Sequence, residues 1–242
     1  MEEKLRFLIL GASGGIGLEV TRQLLTDGHT VVASFHNNRI TELDAFSSVS
    51  WINLNLTDHK YLRSELQKLG EFDGLVHCAG IVHAEKIQNV QDSTMEEMFM
   101  VNLQSAIIAA SVLLPGMINR NFGRMVFIGS IVGTQGGIGL SVYSSTKSGL
   151  EGFVRSIHKE IIITKTKKPD SNLTVNLVRP GYVETKMTKN LNPKIREGII
   201  SNSTLGRFLT ATELSRFINL LLRPESNYIS GRFHDLDGGQ EI

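Results

Sequence analysis

The feature that most constrains this chain is an alternation: short, almost wholly apolar runs trade places with longer amphipathic ones from end to end. Seven short runs read as strands: Leu5 to Leu10, Thr30 to Phe35, Val49 to Leu54, Gly74 to Cys78, Arg124 to Gly129, Leu173 to Val178 and Gly231 to Leu236. Between them, apolar residues recur at helical spacing over Ile16 to Thr26, Asp58 to Leu69, Ser93 to Asn119, Tyr143 to Thr164 and Thr212 to Leu221. Strands apolar on both faces must be covered on both, and parallel neighbours need a crossover helix between them. The alternation therefore predicts an α/β fold in three layers, a doubly wound, mostly parallel seven-stranded sheet. Asp27-Gly28 and Asp73-Gly74 supply turns ahead of two strands. With no repeat, low-complexity tract or linker, residues 1–242 read as a single domain. Lys165 to Asn172 and Gly181 to Asn192 read as irregular.

Composition narrows the function classes. Apolar residues make up 41%, charged residues 20%, and the net charge is +1, which gives no reason to expect nucleic acid or an anionic membrane as partner. The apolar runs are short and broken by polar residues, so no segment is expected to span a bilayer. The opening Met1-Glu2-Glu3-Lys4 lacks the apolar core of a signal peptide. One cysteine, Cys78, excludes an internal disulfide and suits a reducing cytosol, so a cytoplasmic location is expected. No cluster of residues suggests a metal site.

Two constellations carry chemistry. The first is Gly11, Ala12, Ser13, Gly14, Gly15, Ile16 and Gly17, placed after the first strand and opening the first helix. Glycines permit positive φ and a close backbone approach, and a helix N-terminus offers free N–H groups and positive dipole to a pyrophosphate. The spacing differs from the familiar G-x-G-x-x-G dinucleotide pattern, and a plain tight turn is the alternative reading. The second is Ser130 at a strand end, followed thirteen residues later by Tyr143 and then Lys147. On a helix, Tyr143 and Lys147 share one face a turn apart. A tyrosine ordinarily holds its proton to about pH 10, and a nearby ammonium stabilises its anion. An exposed, inert Tyr–Lys pair is the alternative, and the strand-end serine is what tells against it.

These residues together resemble the short-chain dehydrogenase/reductase family. The resemblance rests on Gly11 to Gly17, on Cys78, Ala79 and Gly80 after the fourth strand, and on Ser130, Tyr143 and Lys147. Val101-Asn102-Leu103, the stretch from Arg179 to Thr185, and Tyr228 to Gly231 with Asp235 to Gly239 extend it over nearly the whole chain. The layout, including Gly206-Arg207-Phe208 before the last helix, is nearest to the 3-oxoacyl-(acyl-carrier-protein) reductases. The resemblance implies a Rossmann fold, a nicotinamide cofactor, and hydride transfer between a carbonyl and a secondary alcohol. In that reading Ser130 positions the carbonyl and Tyr143 exchanges the proton. Lys147 holds the nicotinamide ribose and lowers the tyrosine's pKa, while Asn102 kinks its helix and holds a water leading to Lys147. Thr185 touches the cofactor's carboxamide. The other implied cofactor contacts are Gly11, Ser13, Gly14, Gly15, Ile16, Gly17, Ser34, Phe35, His36, Asn37, Asn55, Leu56, Cys78, Ala79, Gly80, Pro180, Gly181 and Val183.

Departures from the family pattern are informative. His77-Cys78 stands where two asparagines are usual, and His77 reads as a structural hydrogen-bonder. Asn55 replaces an aspartate often found at the third strand's end, leaving Leu56 for a backbone contact to adenine. The second strand ends in Phe35, flanked by Ser34, His36, Asn37 and Asn38, with Arg39 beyond, where an NAD-specific site places an acid. NADP(H) is therefore favoured, with NAD(H) as the alternative, although a basic residue inside the glycine loop is also missing.

A small substrate lid around 182–205 includes Met187, Leu191, Ile195, Ile199 and Ile200, which suits a medium-sized or chain-like carbonyl compound better than a bulky polar one; the resemblance implies an acyl thioester. Arg120, Arg124, Lys165, Lys167 and Lys168 are expected either to flank the pocket mouth and meet an acyl carrier protein, or to form a solvated basic surface. Helices Ser93 to Asn119 and Tyr143 to Thr164 carry apolar residues beyond one stripe: Ile107, Ile108, Val112 and Leu113, and Leu150, Phe153, Val154, Ile157 and Ile161. Such helices must bury that surface. In the family they build a four-helix interface, so a homotetramer is expected, with a homodimer second. Two rival functions stay open: an epimerase or dehydratase on the same fold, and a non-catalytic nicotinamide-binding regulator.

Overall fold

A computed structural model describes residues 4–240. Strand β1 (Arg6–Leu10) leads into helix α1 (Gly15–Thr26), followed by β2 (Thr30–Phe35), β3 (Val49–Asn53), α2 (His59–Lys68) and β4 (Gly74–His77). Next come α3 (Asp92–Phe99), a π-helical turn (Met100–Gln104), α4 (Ser105–Arg120), β5 (Phe122–Ile128), the short α5 (Val132–Gln135), α6 (Ser141–Lys167) and β6 (Asn172–Pro180). The chain closes with β7 (Val183–Glu184), α7 (Lys186–Lys189), α8 (Pro193–Ser201), β8 (Leu209–Thr210), α9 (Ala211–Leu222) and β9 (Phe233–Leu236). The seven-stranded sheet runs β3-β2-β1-β4-β5-β6-β9 with every neighbouring pair parallel. This is the expected doubly wound Rossmann arrangement.

The alternation of side chains along each strand explains the two covering layers. Leu8 and Leu10 of β1 join one core cluster with Leu62 and Leu66 of α2, Ala109 and Met117 of α4, and Leu150 and Val154 of α6. Phe7 and Ile9 point the other way, into a cluster with Val20 and Leu24 of α1 and Leu214 and Ile218 of α9. Met125 and Phe127 of β5 face the first layer, Val126 and Ile128 the second. The chain leaves β1 toward β2 and later returns to β4 on its other side, which opens a crevice at the strands' C-terminal ends.

Four expectations are corrected. Among the described residues one helical run, Asp92–Arg120, is long and apolar enough to cross a membrane by length and composition. Its apolar side chains are spent indoors, with Ala106, Ala109, Ala110 and Met117 buried against the sheet. Most of the residues expected to form a subunit interface are core residues: Ile108, Leu113, Leu150, Val154, Ile157 and Ile161 are buried, and Phe153 sets its ring edge-on 5.5 Å from Phe127. Ile107, Ile162 and Ile163 remain exposed. The expected irregular stretch Lys165 to Asn172 shrinks, because α6 runs to Lys167 and β6 starts at Asn172. The other, Gly181 to Asn192, holds β7 and α7, and β7 pairs in parallel with β8 across the lid.

Candidate active site

The glycine turn joins β1 to α1 and leaves room only where glycines stand. Gly11 has φ +83°, and a Cβ there would lie 2.6 Å from the Ala79 nitrogen, so the ends of β1 and β4 touch through backbone alone. A Cβ on Gly15 would come within 2.8 Å of Thr185 Cγ2, which places the lid's first helix against the turn. The Ser34 hydroxyl accepts from the Gly11 nitrogen at 2.9 Å and fixes the turn to β2. Gly14 caps α1 without any side-chain hydrogen bond, so the first amides of a twelve-residue helix are left for a ligand.

A cavity of about 350 Å³ opens from this turn. Of the expected contacts it gathers Gly11, Ser13, Gly14, Ser34, Phe35, His36, Asn55, Leu56, Cys78, Ala79 and Gly80. Leu54, Thr57, Ile81, Glu97 and Val101 also line it and were not anticipated. Gly15, Ile16, Gly17, Asn37, Tyr143, Lys147, Pro180, Gly181, Val183 and Thr185 are not among its lining residues. Asn55 turns its carbonyl oxygen back to the Thr57 nitrogen and hydroxyl, at 3.0 and 2.8 Å, which shapes the rim. Phe35 meets Trp51 edge-on at 6.2 Å. Arg39 is turned aside into an ion pair with Asp44 at 2.6 Å. A backbone-lined turn, an uncapped helix N-terminus and apolar walls form a donor set that fits a nicotinamide dinucleotide.

The second constellation lies at the C-terminal end of β5. Ser130 follows that strand, and its hydroxyl accepts from the Val132 nitrogen at 3.2 Å. It also hydrogen-bonds the Tyr143 phenol in the first turns of α6. Lys147, one turn on, is buried and donates from Nζ to the Ile128 carbonyl at 2.8 Å, its ammonium 5.7 Å from the centre of the Tyr143 ring. Burial pushes the Tyr143 phenol up to about 12 against the pull of Ser130, with Tyr182 raising it further. Lys147, whose ammonium is 5.7 Å from the ring centre, is not among the influences on the phenol, and burial sets its direction. Burial likewise pushes Lys147 down to about 8, opposed by Cys78. The Cys78 thiol is pushed up to about 12, which keeps it protonated.

Asn102 sits at the middle of the π-helical turn and is fully buried. Its oxygen accepts from the Ile81 nitrogen at 2.8 Å, and its amide donates to the Ile81 carbonyl and the Thr146 hydroxyl at 2.9 and 3.1 Å. The helix distortion expected at Asn102 is therefore present as a π-turn, which ties the loop after β4 to α6. A Cβ on Gly80 would lie 3.4 Å from Lys147 Nζ and 3.6 Å from Asn102 Oδ1, so glycine there keeps the cofactor cavity open to both. His77 is held as a structural group. The Ser105 hydroxyl donates to the Val101 carbonyl at 2.7 Å, so it accepts from His77 Nε2–H at 2.7 Å. Burial, with Lys147 adding to it, pushes His77 down to about 3 and keeps it neutral.

The basic residues expected at the pocket mouth lie elsewhere. Arg124, near the start of β5, is fully buried and donates to the carbonyls of Arg223, Gly123, Asn172 and Pro224 and to the Asn172 side chain, at 2.7 to 3.1 Å. Arg120 binds Glu71 and the Phe72 carbonyl at that same end of the sheet. Helix α6 carries Lys165 and Lys167 about 33 and about 36 Å from Tyr143, at about 1.5 Å per residue. Lys168 caps the far end of α4 through the Ile118 and Asn119 carbonyls.

Comparison with known proteins agrees with this geometry. The model of the short chain dehydrogenase family matches residues 6–196. The 3-oxoacyl-(acyl-carrier-protein) reductase FabG of Escherichia coli is 32% identical over 239 residues, covering 96% of this chain and 95% of the relative. An acetoacetyl-CoA reductase of Allochromatium vinosum is 30% identical over 244 residues, covering 96% of each. The crystal structure of a 3-oxoacyl-(acyl-carrier protein) reductase from Brucella melitensis has a TM-score of 0.89 at 23% identity, covering 100% of this chain and 92% of that one, a likeness of fold. The chain belongs to the short-chain dehydrogenase/reductase family of NAD(P)-dependent oxidoreductases.

Proposed function

We propose that the chain is an NADP-dependent ketoreductase acting on 3-oxoacyl thioesters, with Tyr143 as its acid/base. The observation that carries this is the joint placement of Ser130, Tyr143 and Lys147 beside the cofactor cavity, with Gly80 as the open floor between. The cofactor, when bound, supplies the hydride. Ser130 and Tyr143 together present two hydroxyls to one substrate oxygen, and a phenol pushed up to about 12 keeps its proton at neutral pH, the state needed to give it to a carbonyl. Lys147 offers the ribose an ammonium whose protein hydrogen bond is the Ile128 carbonyl. Asn102 holds Ile81 and Thr146, and so keeps the loop after β4 in register with α6.

The relatives named for 3-oxoacyl-(acyl-carrier-protein) and acetoacetyl-CoA support a thioester substrate. A carrier protein would meet the lid, where Lys186, Lys189 and Lys194 are exposed beside Met187 and Ile195. The absence of an acid at the end of β2 supports NADP(H) over NAD(H), with His36 at the rim as the donor for a 2′-phosphate. The test is turnover of acetoacetyl-CoA with each cofactor, for the wild type and Tyr143→Phe. We expect kcat/KM to favour NADPH, and the variant to lose about 10²-fold or more in kcat while binding NADPH normally. Near-normal turnover of the variant would refute the mechanism; equal or NADH-favouring values would refute the cofactor assignment.

The same reading extends to assembly as a homotetramer, with a dimer second, built on the faces of α4 and α6 that leave Ile107, Ile162 and Ile163 exposed. Light scattering at micromolar concentration decides it. A mass of 26.7 kDa for an active sample rules assembly out.

A further inference from the structure

The chain's last described residues hold both ends of the lid. After β9, Gly238 and Gly239 adopt φ +64° and +69°, a double left-handed turn that doubles the chain back under the loop following β6. Gly238 accepts at its carbonyl from the Thr204 nitrogen at 3.0 Å and the Ser203 hydroxyl at 3.3 Å, which fastens the lid's distal end. Gln240 fastens the proximal end. Its side chain is almost fully buried, and Oε1 accepts from the Tyr182 nitrogen at 2.9 Å. Gly181 has no space for a Cβ because the Gln240 amide fills it. The Gln240 carbonyl accepts in turn from Gln135 Nε2 at 3.4 Å, in the helix just after Ser130. One buried polar residue therefore joins the loop after β5 to the base of the lid.

What this junction positions is Tyr182. Its ring lies 5.4 Å from that of Phe208, which carries the Arg196 guanidinium 4.2 Å above it, and its carbonyl accepts from the Leu209 nitrogen at 2.9 Å. Tyr182 is also near enough to Tyr143 to act on its phenol, and we infer that Gln240 is a positioning residue that sets Tyr182 beside the reacting group, so that substrate affinity depends on it and cofactor affinity does not. The functional half of this inference rests on the thioester-reductase reading. A buried amide oxygen that accepts a backbone N–H is costly to delete, because the donor is then left unpaired.

Two substitutions separate positioning from plain structure. Gln240→Leu removes the acceptor at similar volume, and Gln240→Glu keeps an oxygen for the Tyr182 amide. We expect Gln240→Leu to raise KM for acetoacetyl-CoA on the order of ten-fold, with a smaller change in kcat, the size of effect that misplacing a cleft wall produces. The dissociation constant for NADPH, read from its fluorescence, stays within two-fold of wild type by this inference, and Gln240→Glu restores KM. Hydrogen–deuterium exchange gives a readout that needs no substrate: the Tyr182 amide loses protection in Gln240→Leu and keeps it in Gln240→Glu. An unchanged Tyr182 amide, an unchanged KM, or equal losses in KM and NADPH binding would each overturn the inference. A wild type that ignores acetoacetyl-CoA while Tyr182 still exchanges as described overturns the substrate assignment and leaves the Gln240 contact standing.

Discussion

The two ends of the sheet each bury a cation, and they treat it in opposite ways. At the N-terminal end, Arg124 is fully buried yet spends its guanidinium on four backbone carbonyls and one side-chain amide. At the C-terminal end, Lys147 is buried with one hydrogen bond among the described residues, to the Ile128 carbonyl. Burial lowers both, Arg124 to about 10 and Lys147 to about 8. The arginine remains charged at any physiological pH and closes a structural joint between β5, β6 and the exit of α9. The lysine is an ammonium with donors to spare beside an open cavity. In the proposed function those spare donors are for the cofactor, and this contrast sets the candidate functional end of the sheet apart from the structural one.

Substitution at each cation tests the contrast, and Lys147 carries the larger effect. Lys147→Met should lose about 10²-fold or more in turnover, since the charge proposed to hold the ribose is gone. Its melting temperature should hold or rise, because a poorly solvated buried charge has been removed. A clear fall in melting temperature would make Lys147 a structural cation like its counterpart. Arg124→Met should do the reverse. Stranding the Arg223, Asn172 and Pro224 carbonyls should cost about 3 kcal/mol or more, a drop of roughly 6–12 °C at this chain length. The kcat of the folded fraction should stay near wild type. Loss of activity in folded Arg124→Met would join the two ends and break the comparison.

How much of this the sequence discloses depends on whether a residue's neighbours are local. Leu8 and Leu10 against Phe7 and Ile9 advertise a strand buried on both faces, so the sheet was readable to within a residue or two at most ends. The glycine turn and the Ser130, Tyr143, Lys147 set were readable because strand ends and helix periodicity fix their relative places. The lid's paired strands were not, since two residues such as Val183 and Glu184 have no period to detect. Arg124 was misplaced because its position at the start of a strand puts it at the wrong end of the sheet for the pocket, a consequence of strand direction. Ile157 and Phe153 looked like interface residues because helix periodicity cannot tell a neighbour in the same chain from a second copy. Gln240 gave no signal at all beyond two preceding glycines, since its partners Tyr182 and Gln135 lie 58 and 105 residues away.

The smallest expected effect is on pH dependence, and it follows from the same lysine. Tyr143, pushed up to about 12, stays protonated throughout the accessible range and contributes no inflection near neutrality. Lys147, pushed down to about 8, is charged below that pH and loses its proton as the pH rises through it. In the proposed mechanism reduction needs the charged form, so kcat/KM for NADPH, which reports groups of the free enzyme, should be level below about 7 and fall up to ten-fold per unit above about 8. Stability should move the other way. The unfolded lysine keeps its proton to its ordinary value of 10.5, so between about 8 and 10.5 the unfolded chain binds more protons than the folded one, and this group's contribution to stability rises with pH. Lys147→Met removes that contribution, and the difference between the two denaturation curves across this window isolates it. An alkaline limb in kcat/KM placed above pH 10 would mean that Lys147 keeps an ordinary pKa, and the contrast with Arg124 would then rest on hydrogen-bond geometry alone.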